Sequence, residues 1–132
     1  VEIGFSDAVS ETNGLAFSAH GATPTAVATD AAVFAIDSDA TQATWQCLSV
    51  KNGGTVQAVD SGVAPVAGTF QNFKQIIDTD GNVDFYIDDV LVASIEAAVT
   101  NSVLYTNWLT LKSLSAAAKT IRVDAATVSG SR

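Results

Sequence analysis

The chain has 132 residues, which predicts one domain over residues 1–132 with a single hydrophobic core. Apolar residues make up 48% of the chain and charged residues only 15%, a composition that excludes the disordered class. The net charge of −8 would repel phosphate backbones and anionic lipid, so we expect neither a nucleic acid nor a membrane surface as partner.

No hydrophobic run approaches the roughly 18 residues that a membrane helix needs. The segment Val1–Phe5 lacks the basic and apolar regions of a signal peptide, and we therefore expect a soluble, untargeted chain. Because Cys47 is the only cysteine, neither an intrachain disulfide nor a thiolate metal cluster can form. Cys47 lies in an apolar segment, where a buried, inert thiol is the commonest state.

Short β-rich segments alternate with Gly, Asn and Asp at intervals typical of all-β proteins, and no helical periodicity persists beyond two turns. Ten strands in one domain require two packed sheets, so the predicted fold class is an all-β, two-sheet antiparallel sandwich. In chain order the predicted strands are Val1–Ser6, Gly14–His20, Ala32–Ile36, Thr44–Lys51, Thr55–Val59, Phe70–Asp78, Asn82–Asp88, Leu91–Ile95, Leu104–Ser113 and Lys119–Val128.

The clearest unit is a pair of chained hairpins between Phe73 and Ile95. An Asp-Gly turn at residues 80–81 separates two apolar strands, and Asp88-Asp89 predicts a second tight turn. The strand between these turns alternates with a period of two, which predicts one core face and one outer face. The core-facing residues are Val83, Phe85 and Ile87, and the outward-facing residues are Asp84, Tyr86 and Asp88.

Catalytic groups are sparse in this sequence. His20 is the only histidine, which excludes a multi-histidine zinc site, and a lone histidine is usually structural or exposed. Glycoside hydrolysis needs two carboxylates about 5 to 9 Å apart. The only glutamates are Glu2, Glu11 and Glu96, and none has a carboxylate partner at strand spacing. We therefore predict that the chain has no catalytic residues and is not an enzyme.

Two acidic segments bear on metal binding. Residues 78–82, Asp-Thr-Asp-Gly-Asn, are similar to the start of a calcium loop, but no bidentate Glu follows at the required position, which favours a hairpin turn. Asp37 and Asp39 have an i, i+2 relation and are weak calcium candidates; they read equally well as a polar strand end. We expect no metal and no cofactor.

Aromatic side chains that point away from the core are the remaining binding candidates, because stacking platforms and interface anchors must be exposed. In the segment 105–112, Trp108 falls on the polar face with Thr106 and Thr110, and Tyr86 is placed similarly between two aspartates. Trp45 is a third candidate. The structural alternative for each is a residue covered by a loop or by the neighbouring sheet.

The segment Phe73–Val92 resembles the "strand, Asp-Gly turn, Phe-Tyr-Ile-Asp-Gly, strand" region of concanavalin A-like jelly rolls, the lectin, laminin G-like and glucanase superfamily. Val1–Asp7 resembles the opening strand of such domains, and Ile121–Val128 resembles their closing strand, with Ala125 in the usual Tyr position. This resemblance implies a jelly-roll sandwich. Two departures are Asp89 where Gly is usual and the absence of the glucanase acid pair, which argues against hydrolase activity.

Ala32–Ala40, with Thr44-Trp45 and Val50–Gly53, resembles a subgroup found as modules in tailed-phage and metagenomic virion proteins. The resemblance implies a non-enzymatic virion surface module, such as a capsid decoration or a head-fibre or tail-associated domain. The implied partners are a capsid or other virion protein and host or environmental glycans, and a homo-oligomer is left open. The alternative is a carbohydrate-binding module of a secreted or cell-surface bacterial protein, which would be extracellular.

Overall fold

The computed structural model describes residues 1–8, 15–20, 23–38, 41–112 and 120–130. Within these ranges the protein is all-β, with ten strands, no helix and antiparallel pairing throughout. This part of the chain therefore offers no helix that could cross a bilayer. The strands are β1 Glu2–Ser6, β2 Phe17–Ala19, β3 Thr25–Ala26, β4 Ala31–Ala35, β5 Gln46–Val50, β6 Gln57–Asp60, β7 Phe73–Ile77, β8 Val83–Ile87, β9 Val90–Ile95 and β10 Thr106–Thr110.

The strands form three sheets. A five-stranded sheet has the order β10-β1-β4-β5-β6, a three-stranded sheet has the order β7-β8-β9, and β2 pairs with β3. One face of the five-stranded sheet packs on the three-stranded sheet, and its other face packs on the segments around β2 and β3. Coverage on both faces explains why β4 and β5 are buried at every position. The arrangement is consistent with a β-sandwich.

Two apolar clusters hold these layers together. The first joins the two larger sheets, and Phe34 lies at its centre, in edge-to-face contact with Phe73 and Phe85 at ring-centroid distances of 5.1 Å. The second joins the five-stranded sheet to the residues around β2, with Phe17 fully buried. Burial of large aromatic side chains on both faces is the main stabilising term for such a layered fold.

The predicted pair of hairpins is confirmed. The side chains of Val83, Phe85 and Ile87 are buried in the first cluster. Asp88 and Asp89 both have positive φ, 52° and 64°, and link Ile87 to its pairing partner Val90 in a two-residue turn. The other turn is longer than a two-residue hairpin, since residues 78–82 separate the paired residues Ile77 and Val83.

The predicted last strand, Lys119–Val128, is wrong over its described part, because residues 120–130 contain no strand. Almost all of this segment is exposed. Ala125 and Ala126 lie at its centre, and their small side chains bury too little apolar area to hold a strand on the domain. The short strand β3 was not predicted, and β2 occupies only three residues of the predicted Gly14–His20.

Candidate binding face

The outer face of the three-stranded sheet is a largely exposed sheet surface. Antiparallel register arranges its side chains in two rows across the sheet. Lys74, Tyr86 and Leu91 form one row, and Ile76, Asp84 and Ser94 form the next. We call these six residues the outer face. Its rigid support is the core-facing residue Phe85, which is fully buried behind it.

Apolar side chains of this face are left in water. Ile76 is 47% exposed and Leu91 is 51% exposed, and Val90, next to Leu91 at the sheet's edge strand, is 63% exposed. Tyr86 lies on the central strand between Lys74 and Leu91 and is half-buried, less exposed than the alternation in the sequence predicts. Single exposed apolar residues are ordinary, but several on one flat sheet face form the kind of patch that marks a contact surface.

The ammonium group of Lys74 lies over one face of the Tyr86 ring. Its Nζ lies 4.3 Å from the centroid of the Tyr86 ring and 3.8 Å from Oδ1 of Asp89 in the β8–β9 turn. The first contact is a cation–π interaction and the second an exposed ion pair. Beside them, the hydroxyl of Ser94 donates to the carboxylate of Asp84. The charged groups of the outer face are thus arranged around Tyr86.

Acidic residues are concentrated in the hairpins that form this sheet. Between residues 75 and 111 the sequence has no Lys, Arg or His. Lys74 is therefore the one cation of the three strands and of the turns between them. The acidic residues of this stretch are Asp78, Asp80, Asp84, Asp88, Asp89 and Glu96.

Trp108 lies elsewhere, on β10 at the edge of the five-stranded sheet, and is half-buried. It pairs directly with Gly4 of β1. Its indole Nε1 is buried and has no hydrogen-bond partner among the described residues. The strand's other face is more open, since Leu109 is 43% exposed. The structure does not bring Trp108 together with Tyr86.

Trp45 is a core residue, which corrects its inclusion among the surface candidates. Its side chain is 5% exposed, its ring lies 4.7 Å from that of Phe73 in an edge-to-face contact, and its Nε1 donates to Oε1 of Gln71 at 3.1 Å. The indole therefore packs between the two larger sheets. Its polar atom has the partner that a buried tryptophan requires.

Asp37 contacts a histidine. Its Oδ2 lies 3.9 Å from Nδ1 of His20, and the other ring nitrogen of His20 faces the carboxylate of Glu2 at 2.8 Å. Asp39, the second weak calcium candidate, lies outside the described residues. Within the described part of the chain, no group of three or more His, Cys, Asp and Glu side chains is arranged to hold a metal ion.

The buried Glu2 is a feature that sequence reasoning missed. Its carboxylate is fully buried and accepts hydrogen bonds from the backbone N–H groups of Ala16 and Phe17, at 2.6 and 2.8 Å, as well as facing His20. One signal was available: Glu2 alternates with Val1 and Ile3 in a strand-like segment, so it shares a strand face with the small residues Gly4 and Ser6.

A second buried carboxylate, Asp30, ties together loops at one end of the sheets. It accepts hydrogen bonds from the backbone N–H groups of Thr100 at 2.7 Å and Asn52 at 3.2 Å. The Tyr105 hydroxyl donates to the Thr100 carbonyl at 2.5 Å. Burial, together with the nearby Asp30 charge, raises the pKa of Tyr105 to about 12. These contacts have a structural role, since every partner is part of the fold.

Comparison of the chain with models of protein families, with curated proteins and with solved structures finds no match. The function must therefore be argued from the chemistry of the chain's own surfaces.

Proposed function

We propose that the chain is a non-enzymatic binding module of a virion surface, a capsid decoration or head-fibre domain of the concanavalin A-like jelly-roll type. In this proposal the outer face docks on a capsid or other virion protein. One observation carries the docking: Ile76 and Leu91 are left about half-exposed around Tyr86 on a rigid sheet. The viral setting and the jelly-roll topology rest on the sequence resemblance alone.

Docking through the outer face follows from the cost of leaving it uncovered. Exposure to water costs an apolar side chain about 25 cal/mol per Å² of apolar surface, compared with burial. A partner that covers Ile76, Tyr86 and Leu91 recovers that free energy without reorganising the sheet, because the strands are held from behind by the core. A preformed flat surface is well suited to a repeated protein lattice.

The reactive side chains of the described residues support a non-enzymatic role. His20 is buried, with Nε2 2.8 Å from Glu2 and Nδ1 3.9 Å from Asp37, so its ring has little access to a substrate. Burial raises the pKa of Cys47 to about 12, so at neutral pH it is a thiol and a poor nucleophile. Neither group meets the requirements of nucleophilic or general acid–base catalysis.

A carbohydrate-binding module is the second candidate. Tyr86 favours it, because an outward tyrosine flanked by Asp84 and Ser94 offers both a ring and hydrogen-bonding groups to a sugar. Lys74 argues against it, since its ammonium group already lies over the ring. A pyranose could stack on that side only by displacing Lys74, and we therefore rank protein docking first.

Sedimentation of purified particles tests the proposal. The chain should sediment with particles of the virus that encodes it, in a fixed ratio to the major capsid protein. The double variant I76S/L91S should fold and lose this occupancy, whereas V66S, at a 54% exposed valine outside the outer face, should keep it. Absence from particles, combined with polysaccharide binding by the isolated monomer, would replace the proposal with the carbohydrate-binding alternative.

A further inference from the structure

We infer that the partner surface of the outer face has apolar side chains flanked on opposite sides by Lys and Arg side chains. This inference rests on the proposed docking function and adds the chemistry of the partner. It follows from the combination of two properties on one sheet. Each of its three strands contributes an apolar side chain, Ile76, Tyr86 and Leu91, which together we call the apolar centre, and negative charge is in excess at both ends of the strands.

The negative charge surrounds the face from both ends of the strands. Asp88 and Asp89 form the β8–β9 turn at one end. Asp78 and Asp80 lie in the β7–β8 loop at the other end, and Glu96 directly follows β9. All five residues are exposed. A partner that covers the apolar centre therefore has acidic groups on opposite sides of its contact area.

Lys74, the one cation of this sheet, does not neutralise the acidic residues at the two ends of the strands, which we call the rim. Lys74 is engaged within the face, with its Nζ 3.8 Å from Asp89 and 4.3 Å from the Tyr86 ring centroid. Its charge is thus largely matched by Asp89 alone. The other four acidic residues at the strand ends form no ion pair with a described residue, although Asp78 and Asp88 accept hydrogen bonds from backbone N–H groups. They remain available to cations of a partner.

The same charges exclude other occupants. A second copy of the chain, with a net charge of −8, would place acidic turns against acidic turns if the two outer faces met. Charges interact over about 8 Å at physiological ionic strength, which spans such a contact. Anionic polysaccharide, nucleic acid and anionic lipid are disfavoured for the same reason. A basic protein surface is the class that fits both properties.

The two properties have different measurable effects. Covering Ile76 and Leu91 supplies affinity that changes little with salt, whereas pairing of the acidic rim with Lys or Arg speeds association and weakens as salt rises. A partner of the inferred kind must therefore depend on both. Removal of either the apolar centre or the opposite charge from a probe should weaken binding.

Three synthetic strand-forming peptides serve as probes: one alternating Leu and Lys, one alternating Ser and Lys, and one alternating Leu and Glu. Each is titrated into the isotopically labelled full chain, and backbone amide shifts are followed at low and high NaCl. The Leu–Lys peptide should shift amides of β7, β8 and β9 and bind at least tenfold more tightly than the other two. Its affinity should fall several-fold at high salt.

Matched variants separate the rim from general charge effects. D80N/E96Q neutralises two exposed carboxylates of the rim and should weaken Leu–Lys binding. D60N neutralises a carboxylate on β6 of the five-stranded sheet and should not. I76S/L91S should weaken binding while leaving its salt dependence intact.

Four results would overturn the inference. If the Leu–Glu peptide binds as tightly as the Leu–Lys peptide, the partner need not be basic. If the Ser–Lys peptide binds as tightly, the partner need not be apolar. Failure of the Leu–Lys peptide to bind, or amide shifts confined to the five-stranded sheet, would remove the outer face as its site. Particle sedimentation is measured separately, so a chain that occupies particles but fails these titrations refutes only the partner's chemistry.

Discussion

Oε1 of Glu2 lies 2.8 Å from Nε2 of His20, and both side chains are buried between the five-stranded sheet and the β2 segment. The pair links the first strand to a segment that otherwise has only the two-residue β3 as its strand partner. A buried carboxylate is tolerated only when its oxygens have hydrogen-bond donors. The oxygens of Glu2 accept from the backbone N–H groups of Ala16 and Phe17, and Oε1 also faces the His20 ring.

Replacing Glu2 with alanine should destabilise the domain strongly. The change leaves two buried backbone N–H groups without their acceptor, and each buried, unsatisfied donor costs about 1–3 kcal/mol. Urea unfolding gives the free energy directly. E96A, at an exposed glutamate, is the control and should cost less than about 0.5 kcal/mol. A loss below about 1 kcal/mol for E2A would show that the β2 segment is held by apolar packing alone.

Phe85 and Tyr86 are neighbours in β8 with opposite environments, which allows a matched pair of variants. F85A removes a fully buried ring in contact with Phe34 and should cost about 3–5 kcal/mol. Y86A removes a half-buried ring of the outer face and should cost clearly less. Thermal or denaturant unfolding measures both. Equal losses, or a loss below about 1 kcal/mol for F85A, would show that the core face and the outer face of β8 are assigned incorrectly.

Gly81 should tolerate no side chain, for a reason beyond its positive φ of 82°. A Cβ at this position would overlap the carbonyl oxygen of Val99, whose own N–H donates to the Gly81 carbonyl at 3.0 Å. Gly62 is a control with φ of 70° and open space around it. G62A should cost about 1 kcal/mol from backbone strain. G81A should cost at least about 1–3 kcal/mol more, as overpacking does, and equal losses would mean that residues 99–101 move aside freely.

The two faces of the three-stranded sheet could be predicted from the sequence. Val83, Phe85 and Ile87 alternate with polar residues, which separates the core-facing side chains from the outer face. This pattern holds when one face of a sheet is buried and the other is exposed. β4 and β5 are buried on both faces, so their sequences lack alternation and give no information on which layer each residue contacts. The second apolar cluster was therefore not predictable.

Trp45 and Trp108 show the limit for individual side chains. Both lie in β-rich segments, and only the packing of distant segments decides their exposure. Trp45 is enclosed because Phe73 and Gln71, more than 25 residues away, close over it. The Glu2–His20 contact likewise depends on how the chain folds between residues 2 and 20. No local pattern encodes such contacts.

The pKa of the Asp78 carboxyl should lie below the ordinary value of an aspartate. Hydrogen bonds from the backbone N–H and side-chain amide of Asn82, followed by the backbone of Asp80, hold the pKa of Asp78 below its ordinary value. A lowered folded-state pKa means that the stabilising contribution is present above the unfolded pKa and is lost as pH falls through the folded pKa. The Asn82 amide shift should follow this titration, and D78N should abolish it. A midpoint at or above the unfolded value of about 3.9 would contradict these bonds.

Trp108 distinguishes a structural role from a binding role. The W108F variant keeps an aromatic ring opposite Gly4 and removes an indole N–H that is buried without a partner among the described residues. A buried, unsatisfied donor costs about 1–3 kcal/mol, so W108F should leave the unfolding free energy unchanged or raise it.

W108A should lower the unfolding free energy instead, because it removes the half-buried ring along with the N–H. We expect a loss of about 2 kcal/mol, below the 3–5 kcal/mol of a fully buried aromatic residue. The comparison with W108F separates lost packing from the lost polar group, since only W108A removes the aromatic ring. If W108A unfolds at the wild-type denaturant concentration but loses occupancy on particles, Trp108 is a binding residue. The docking surface would then lie on the edge strand β10 rather than on the outer face of the three-stranded sheet.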